Sequence, residues 1–272
     1  MSVAARKKQK RPTGSANPRA VVAAARAKGT RTTRSSRAPR VRWEAVKSLL
    51  GAAAIFLLIR TFLIEAYRIP SESMVPTLLV GDFLFVNKVI FGAHIPFTDH
   101  AALPGYAEPQ RGQVAIYKSP DDRDGNPIVV KRLVGVAGDT MYMRKGVLYV
   151  NGVEQRYRNA APPDPTIPDE AHPDFDWQKE VGLQQSRFGP APKQPTHDNW
   201  GPFVVPPRHF FSMGDNRYNS KDARYYGFVP RENLRGKPLF IYYSHDCKDS
   251  DVGVPLCFIT AVRWSRIGDR VR

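Results

Sequence analysis

The spacing of the hydrophobic positions changes near residue 66. Before it, the segment 48–66 is SLLGAAAIFLLIRTFLIEA, in which 14 of 19 residues are apolar. At about 1.5 Å per residue a helix of this length spans roughly 28 Å, close to the hydrocarbon thickness of a bilayer. Arg60 lies in the last third of the run, where its stem can reach the nearer interface. The pattern predicts one transmembrane helix within 43–66, with a buried soluble helix or a cleaved signal peptide as the alternatives.

Beyond residue 66 apolar and polar positions alternate in short runs, which is typical of β-strands. Arg144-Lys145-Gly146 and Asn151-Gly152 are hairpin turn sequences, and no long amphipathic helix separates the runs. We therefore predict a mostly β fold of coiled antiparallel sheets over 67–272. The proline-rich residues 159–208 are predicted to be a long insertion in this domain. The predicted strands are 83–89, 113–117, 128–134, 140–143, 147–150, 209–213, 239–243 and 258–264.

The charge of the chain is concentrated at its beginning. The net charge of the 272 residues is +16, and residues 1–42 contain 13 of the 41 Lys and Arg and no acidic residue. Residues 43–272 contain the other 28 basic residues and all 25 acidic ones, so this part of the protein has a net charge of only +3. We predict a disordered basic tail over 1–42 that contacts anionic lipid, and no nucleic-acid partner. Positive charge before the span places the N-terminus in the cytoplasm and residues 67–272 outside it.

Cys247 and Cys257 lie ten residues apart in the part assigned to the outside of the cell. In an oxidising compartment a bond between them would close a small loop, worth about 2.5–3 kcal/mol in the chain-entropy model. Two separate free thiols are the alternative. The six histidines show no metal-site spacing, so we predict neither a metal nor an organic cofactor.

The candidate chemistry lies in two segments. IPSESMVPTL at 69–78 places Ser71 and Ser73 on a tight connection between two prolines. In IVVKRLV at 128–134, strand alternation puts Lys131 on one face with Val129 and Leu133. Burial on such a face would lower the pKa of the lysine and make it a usable general base. The alternatives are turn serines without a catalytic role and a lysine that reaches solvent from an edge strand.

Five ordered blocks between about residue 46 and residue 240 resemble bacterial type I signal peptidases, the membrane-anchored serine proteases that remove signal peptides from exported proteins. The blocks are RTF with Glu65 at 60–65, IPSESMVPTL at 69–78, GD at 81–82 with VNK at 86–88, KRLVG at 131–135 with GD at 138–139, and GDNRYNSKDAR at 214–224 with YG at 226–227.

The resemblance implies a role for each matching residue. Ser73 would be the nucleophile and Lys131 its neutral general base, while Ser71 would offer its hydroxyl to the oxyanion. Ser220 would orient the lysine amine. The resemblance also implies a supporting polar network of Asp215, Asp222 and Arg224.

Two positions depart from the family pattern. Glu72 replaces a frequent glycine and Ala223 replaces a frequent serine. Glu72 must point away from Lys131 if the amine is to stay neutral.

Together the residues and the resemblance predict a single-span inner-membrane endopeptidase with a periplasmic catalytic domain. The resemblance implies that its substrates are secreted preproteins with small residues, in the family typically alanine, one and three positions before the cleaved bond. One alternative is a self-cleaving repressor-type Ser/Lys protease, against which the membrane span argues. Another is a membrane-tethered scaffold whose basic tail binds lipid or nucleic acid, in which Ser73 would be dispensable.

Overall fold

The computed structural model describes residues 38–94, 101–247 and 257–272. They fall into two units: residues 38–52 belong to the first, and the described residues from Ala53 onward form the second. Helix α1 occupies Ala38–Phe62. In the parts of the chain that are described, no helix has both the length and the apolar character needed to cross a membrane.

The N-terminal boundaries differ from those predicted. Most of the predicted disordered tail, residues 1–37, lies outside the described residues, but residues 38–42 are helical. Pro39 falls in the first turn of α1, where its missing N–H breaks no helical hydrogen bond. At the other end, the helix stops at Phe62 rather than near Ala66. Strand β1 (Ile64–Arg68) begins there because its backbone pairs with β2 along its whole length.

The second unit is built on antiparallel β-sheets, as predicted. A seven-stranded sheet has the order β1-β2-β13-β5-β6-β11-β12. The long strand β13 pairs with β2 along one stretch and with β5 along another, and its register shifts between Pro238 and Phe240 and between Ile241 and Tyr243. Such irregularities bend a strand, so the sheet curls into a half-barrel. The further strands of this sheet are β2 (Asp82–Asn87), β5 (Val114–Lys118), β6 (Ile128–Val136), β11 (His209–Met213), β12 (Val229–Pro230) and β13 (Leu234–Ser244).

A second sheet of four strands, in the order β10-β7-β8-β9, covers part of the first. Its strands are β7 (Thr140–Arg144), β8 (Val147–Val150), β9 (Val153–Glu154) and β10 (Trp200–Val204), and a two-stranded sheet is formed by β3 (Gly92–His94) and β4 (Ala101–Pro104). The two larger sheets share a core that includes Val134, Met141, Trp200, Phe203 and Phe211. The described part of the chain also contains three short α-helices: α2 (Trp177–Val181), α3 (Ala223–Tyr226) and α4 (Cys257–Thr260).

Seven of the eight predicted strands are present, with ends shifted by a few residues, and the eighth is wrong. Residues 258–264 form α4 and a 3-10 turn at Trp264–Arg266 in place of a strand. Their only described ladder contact is an isolated bridge between Val262 and His245. Within the predicted insertion at 159–208, Trp200–Val204 forms a strand that pairs with β7 and contributes Trp200 and Phe203 to the core. Asn151 and Gly152 both have positive φ, as their hairpin turn requires.

Cys247 and Cys257 form a disulfide, with their Cα atoms 5.8 Å apart. The bond links the end of β13 to the start of α4, on either side of residues 248–256, which lie outside the described residues. The expected bridge is therefore present in the structure.

Candidate active site

The two serines lie on a short turn that is held at both ends. Residues Glu72–Met74 form a single 3-10 turn directly after β1, and the side chains of Ile69 and Met74 anchor it in the core. The hydroxyl oxygens of Ser71 and Ser73 are 3.4 Å apart. The carbonyl oxygen of Ser73 accepts a hydrogen bond from the backbone N–H of Asn216 at 3.1 Å. The turn therefore presents both hydroxyls from a fixed backbone.

Lys131 lies in the middle of β6, opposite Ala115 on β5, and only 4% of it is exposed. Burial is the main reason that its pKa falls from 10.5 to about 8, since the charged ammonium loses its water. The negative charges of Asp222 and Asp215 raise the pKa in part, and the positive charge of Arg224 lowers it. Among the described residues, no carboxylate forms an ion pair with this amine. Lys131 can therefore lose its proton near neutral pH.

Ser71, Ser73 and Lys131 line the same space. One cavity of about 280 Å³ is bounded by all three and by Asp121 and Lys221 on its polar side. A second cavity of about 250 Å³ is also bounded by all three, and its other walls include Ile69, Met74 and Val129. The strand and the turn thus bring a hydroxyl group and a desolvated amine to one cleft, although 58 residues separate Ser73 from Lys131 in the sequence.

Asp222 and Arg224 form a fully buried ion pair behind the cleft. The guanidinium donates two hydrogen bonds of 2.9 Å to the carboxylate, which also accepts one from the Gly214 backbone N–H at 3.0 Å. Burial alone would raise the pKa of Asp222, but the charge and hydrogen bonds of Arg224 outweigh it and lower the pKa to about 2. Arg224 also contacts the ring of His197, a residue to which the sequence assigned no role.

Asp215 forms a separate pair with Arg132, the neighbour of Lys131. The guanidinium donates two hydrogen bonds of 2.7 and 2.6 Å to the carboxylate, and Thr77 donates a third at 2.5 Å. The carboxylate is fully buried, so these bonds replace the water that it has lost. Through the hydrogen bond from Thr77, the pair ties β6 to the segment that follows the serine turn. The sequence put Arg132 on the opposite face from Lys131, but gave no signal for its partner.

Two expectations about the site remain: that Ser220 orients the lysine amine, and that Glu72 points away from Lys131. Ser220 is buried, and its hydroxyl has no hydrogen-bond partner among the described residues, so the predicted bond to the lysine amine is not formed in this structure. Gly214 packs against it so closely that a Cβ there would overlap both the Ser220 hydroxyl and the Ser73 carbonyl oxygen. Glu72 is exposed and accepts a hydrogen bond from the Asn219 side chain at 3.2 Å. Its charge does not figure among those that shift the pKa of Lys131.

Within the described ranges, no group of three or more His, Cys, Asp or Glu side chains could hold a metal ion. The groups that line the cleft include the hydroxyls of Ser71 and Ser73 and the Lys131 amine with its lowered pKa. These groups are suited to acyl transfer, in which a base takes the proton of a nucleophilic serine. A β-rich fold with a serine hydroxyl and a desolvated lysine amine in one cleft is compatible with a serine hydrolase.

The family model for signal peptidase, peptidase S26, matches residues 42–243, and the chain belongs to this family. Signal peptidase I of Pseudomonas aeruginosa is 35% identical over 216 residues, covering 73% of this chain and 71% of the relative. Signal peptidase I of Aquifex aeolicus is 32% identical over 231 residues, covering 69% and 79%. The resemblance found in the sequence is confirmed. The chain is a serine endopeptidase that removes signal peptides.

A crystal structure of a signal peptidase I from Enterococcus faecalis V583 is 27% identical and covers 48% of this chain and 96% of that one. The TM-score is 0.31, so this superposition adds nothing to the family assignment.

Proposed function

We propose that Ser73 is the nucleophile and Lys131 the general base of this signal peptidase. Lys131 accepts the proton of the Ser73 hydroxyl as its oxygen attacks the carbonyl carbon of the scissile bond. The protonated amine then gives this proton to the leaving amino group of the mature protein. A water molecule, activated by the same amine, releases the signal peptide from the serine ester. The observation that carries the proposal is the buried amine with a pKa of about 8 in the cleft that Ser73 lines.

We assign supporting roles to the residues around this pair. The Ser71 hydroxyl, 3.4 Å from that of Ser73, is placed to donate to the oxyanion of the tetrahedral intermediate. The Ser220 hydroxyl has a free hydrogen-bonding capacity and can orient the neutral amine once substrate excludes water. Asp222 with Arg224, and Asp215 with Arg132, hold the walls of the site and transfer no proton.

The substrate is an extended preprotein segment that adds beside β6. Strand β11 pairs with β6 only as far as Arg132, so no described strand on that side covers residues 128–131. A peptide bound there has main-chain hydrogen bonds available next to Lys131. The neighbouring cavity of about 250 Å³ has an apolar wall of Ile69, Met74 and Val129, which suits small side chains such as alanine near the cleaved bond.

We further propose that α1 is the single membrane anchor, with the N-terminus in the cytoplasm and the catalytic unit on the periplasmic side. Large apolar side chains along the helix are exposed, and an exposed apolar surface of this kind marks a site of contact with lipid or another apolar partner. The exposed apolar residues from 49 onward are Leu49, Leu50, Ile55, Phe56, Leu57, Leu58 and Ile59. The basic residues before the helix favour this orientation and contact with anionic lipid, each contributing about 1 kcal/mol near such a surface.

Cleavage of a model preprotein by the purified chain in detergent tests the catalytic assignment. Ser73→Ala removes one hydroxyl from a turn and should abolish cleavage without a change in thermal unfolding. Ser265→Ala is the matched control, because Ser265 is exposed on the 3-10 turn at Trp264–Arg266. This variant should cleave the preprotein at the normal rate. Cleavage by Ser73→Ala at the rate of the unmodified chain would remove Ser73 from the mechanism.

The orientation is tested with an epitope tag at either end of the chain. In sealed right-side-out membrane vesicles, added protease should remove the C-terminal tag and spare the N-terminal one. Removal of the N-terminal tag and protection of the C-terminal one would reverse the proposed topology.

A further inference from the structure

A third cavity of about 650 Å³ is larger than the two at the serine turn, and neither Ser73 nor Lys131 lines it. It lies beside Arg132, which alternation places on the opposite face of β6 from Lys131. Six arginines contribute to its wall: Arg132, Arg156, Arg158, Arg266, Arg270 and Arg272. Its volume lies within the range of small-molecule sites.

The walls of this cavity are held in place. On one side, Asp269 and Val271 make main-chain hydrogen bonds with Ile241 and Leu239 of β13. On the other side, the Ala161 N–H donates to the Asp215 carbonyl oxygen at 2.8 Å and fixes the segment that follows Tyr157. A cavity with fixed walls need not be ordered when a ligand binds, which favours affinity.

Three of the six arginines already have carboxylate partners. Arg132 pairs with Asp215, Arg266 with Asp82 at 2.6 Å, and Arg156 with Glu154 at 2.6 Å. Arg132 also donates at 3.1 Å to the main-chain oxygen of Arg272. It therefore serves as a fixed inner wall with little capacity left for a ligand.

The other three arginines are Arg158, Arg270 and Arg272, and all three are exposed. Within the described part of the chain they form no ion pair. The one acidic side chain that lines the cavity is that of Asp269. The mouth therefore carries guanidinium groups whose hydrogen-bond donors are available, and guanidinium groups bind phosphate oxygens in pairs.

We propose that this cavity binds a phosphate group through Arg158, Arg270 and Arg272. The phosphate is either free or the diester of an anionic lipid headgroup, since both present the same oxygens to the arginines. The site is separate from the catalytic cleft, and the proposal does not depend on the roles assigned to Ser73 and Lys131.

Calorimetric titration of the full chain in a nonionic detergent tests the site. The probes are inorganic phosphate and short-chain phosphatidylglycerol below its micelle concentration, in a phosphate-free buffer of low salt. We expect at least one probe to saturate at one equivalent per chain. The variant with Arg158→Gln and Arg270→Gln should bind that probe at least about tenfold more weakly, because it loses two charged donors. The matched control with Arg187→Gln and Arg208→Gln removes the same charge from exposed positions outside the cavity.

The two probes distinguish the sources. Saturation by phosphatidylglycerol alone assigns the site to a lipid headgroup, and saturation by phosphate alone assigns it to the free anion. The basic residues 1–42 are present in every variant and could also bind the probes. Binding at the cavity is therefore measured by the difference in affinity between the variants. Absence of a saturable component with both probes, or equal weakening in the control pair, would overturn the proposal. Thermal unfolding of both variants verifies that they are folded.

Discussion

Lys131 and Arg132 are neighbours on β6, and each is 4% exposed, yet their surroundings differ in charge. Arg132 meets the carboxylate of Asp215 in two short hydrogen bonds. Lys131 forms no ion pair with a described carboxylate, and burial lowers its pKa to about 8. The strand therefore keeps one cation charged for structure and leaves the other easy to deprotonate for chemistry.

The buried amine should cost stability at neutral pH. Below about pH 8 both the folded and the unfolded chain hold the Lys131 proton, and the full cost of burying the charge is present. Between about pH 8 and 10.5 the folded state has lost a proton that the unfolded state still binds, so stability rises with pH. Lys131→Met should therefore raise the free energy of unfolding at pH 7 by roughly 3 kcal/mol.

Urea unfolding at pH 7 and pH 10 measures this effect. The advantage of Lys131→Met over the unmodified chain should shrink at the higher pH, whereas the exposed control Lys179→Met should show no such change. An advantage of the same size at both values would mean that folding does not lower the pKa of Lys131, because the folded and unfolded chains would then bind the same number of protons between pH 7 and pH 10.

Asp215→Asn should destabilise the fold. The substitution keeps the shape of the side chain but leaves the guanidinium of Arg132 buried without its counter-charge, at a cost of about 3–5 kcal/mol. The midpoint of urea unfolding reports the loss. Asp176→Asn, at the exposed ion pair with Lys179, should have a much smaller effect on stability, because solvent screens this pair. Similar small losses in both variants would show that the buried pair contributes no more than a surface pair.

Gly214→Ala should impair catalysis through the position of the serine turn. The added methyl group would overlap the Ser73 carbonyl oxygen and the Ser220 hydroxyl, so the turn must move. A shift of about 1 Å in reacting groups can cost on the order of 100-fold in rate. The measurement is kcat for a model peptide, with Gly51→Ala as control because its added Cβ meets nothing. Unchanged kcat in Gly214→Ala would show that this packing does not position Ser73.

Ser71→Ala should slow cleavage without abolishing it. One hydroxyl donor to the oxyanion is worth about 2.7–4 kcal/mol, or roughly 100- to 1,000-fold in kcat, and the nucleophile remains. The rate of Ser71→Ala should therefore lie between those of the unmodified chain and Ser73→Ala. A rate equal to that of the unmodified chain would exclude Ser71 from the oxyanion site.

Local sequence patterns predicted the features of the fold that depend on neighbouring residues, such as strands and tight turns. Alternation identified β6 and placed Lys131 on one face with Val129 and Leu133, and Asn151-Gly152 identified a hairpin through its positive φ values. The apolar residues at 258–264 suggested a strand, but they follow the disulfide closely, and among the described residues their ladder pairing is limited to the bridge between Val262 and His245. Their pattern alone could not show this absence.

Contacts between distant segments could not be predicted in the same way. Arg132 and Asp215 are 83 residues apart, and Glu72 and Asn219 are 147 apart, so neither partner follows from local spacing. The strand at Trp200–Val204 was not predicted, because it lies in a proline-rich segment and contains Pro202 itself. Proline usually argues against a strand, and here a register irregularity between Trp200 and Phe203 accommodates it.

The pH dependence of peptide cleavage tests the central claim, that Lys131 acts as a neutral base, most directly. Kcat/KM of the full chain in detergent should be low when the amine is protonated and rise with pH, with a midpoint near the Lys131 pKa of about 8. Lys131→Arg should be inactive at every pH in this range, because its guanidinium stays protonated. A midpoint near the pKa of an exposed lysine, about 10.4, or substantial cleavage by Lys131→Arg, would contradict the account.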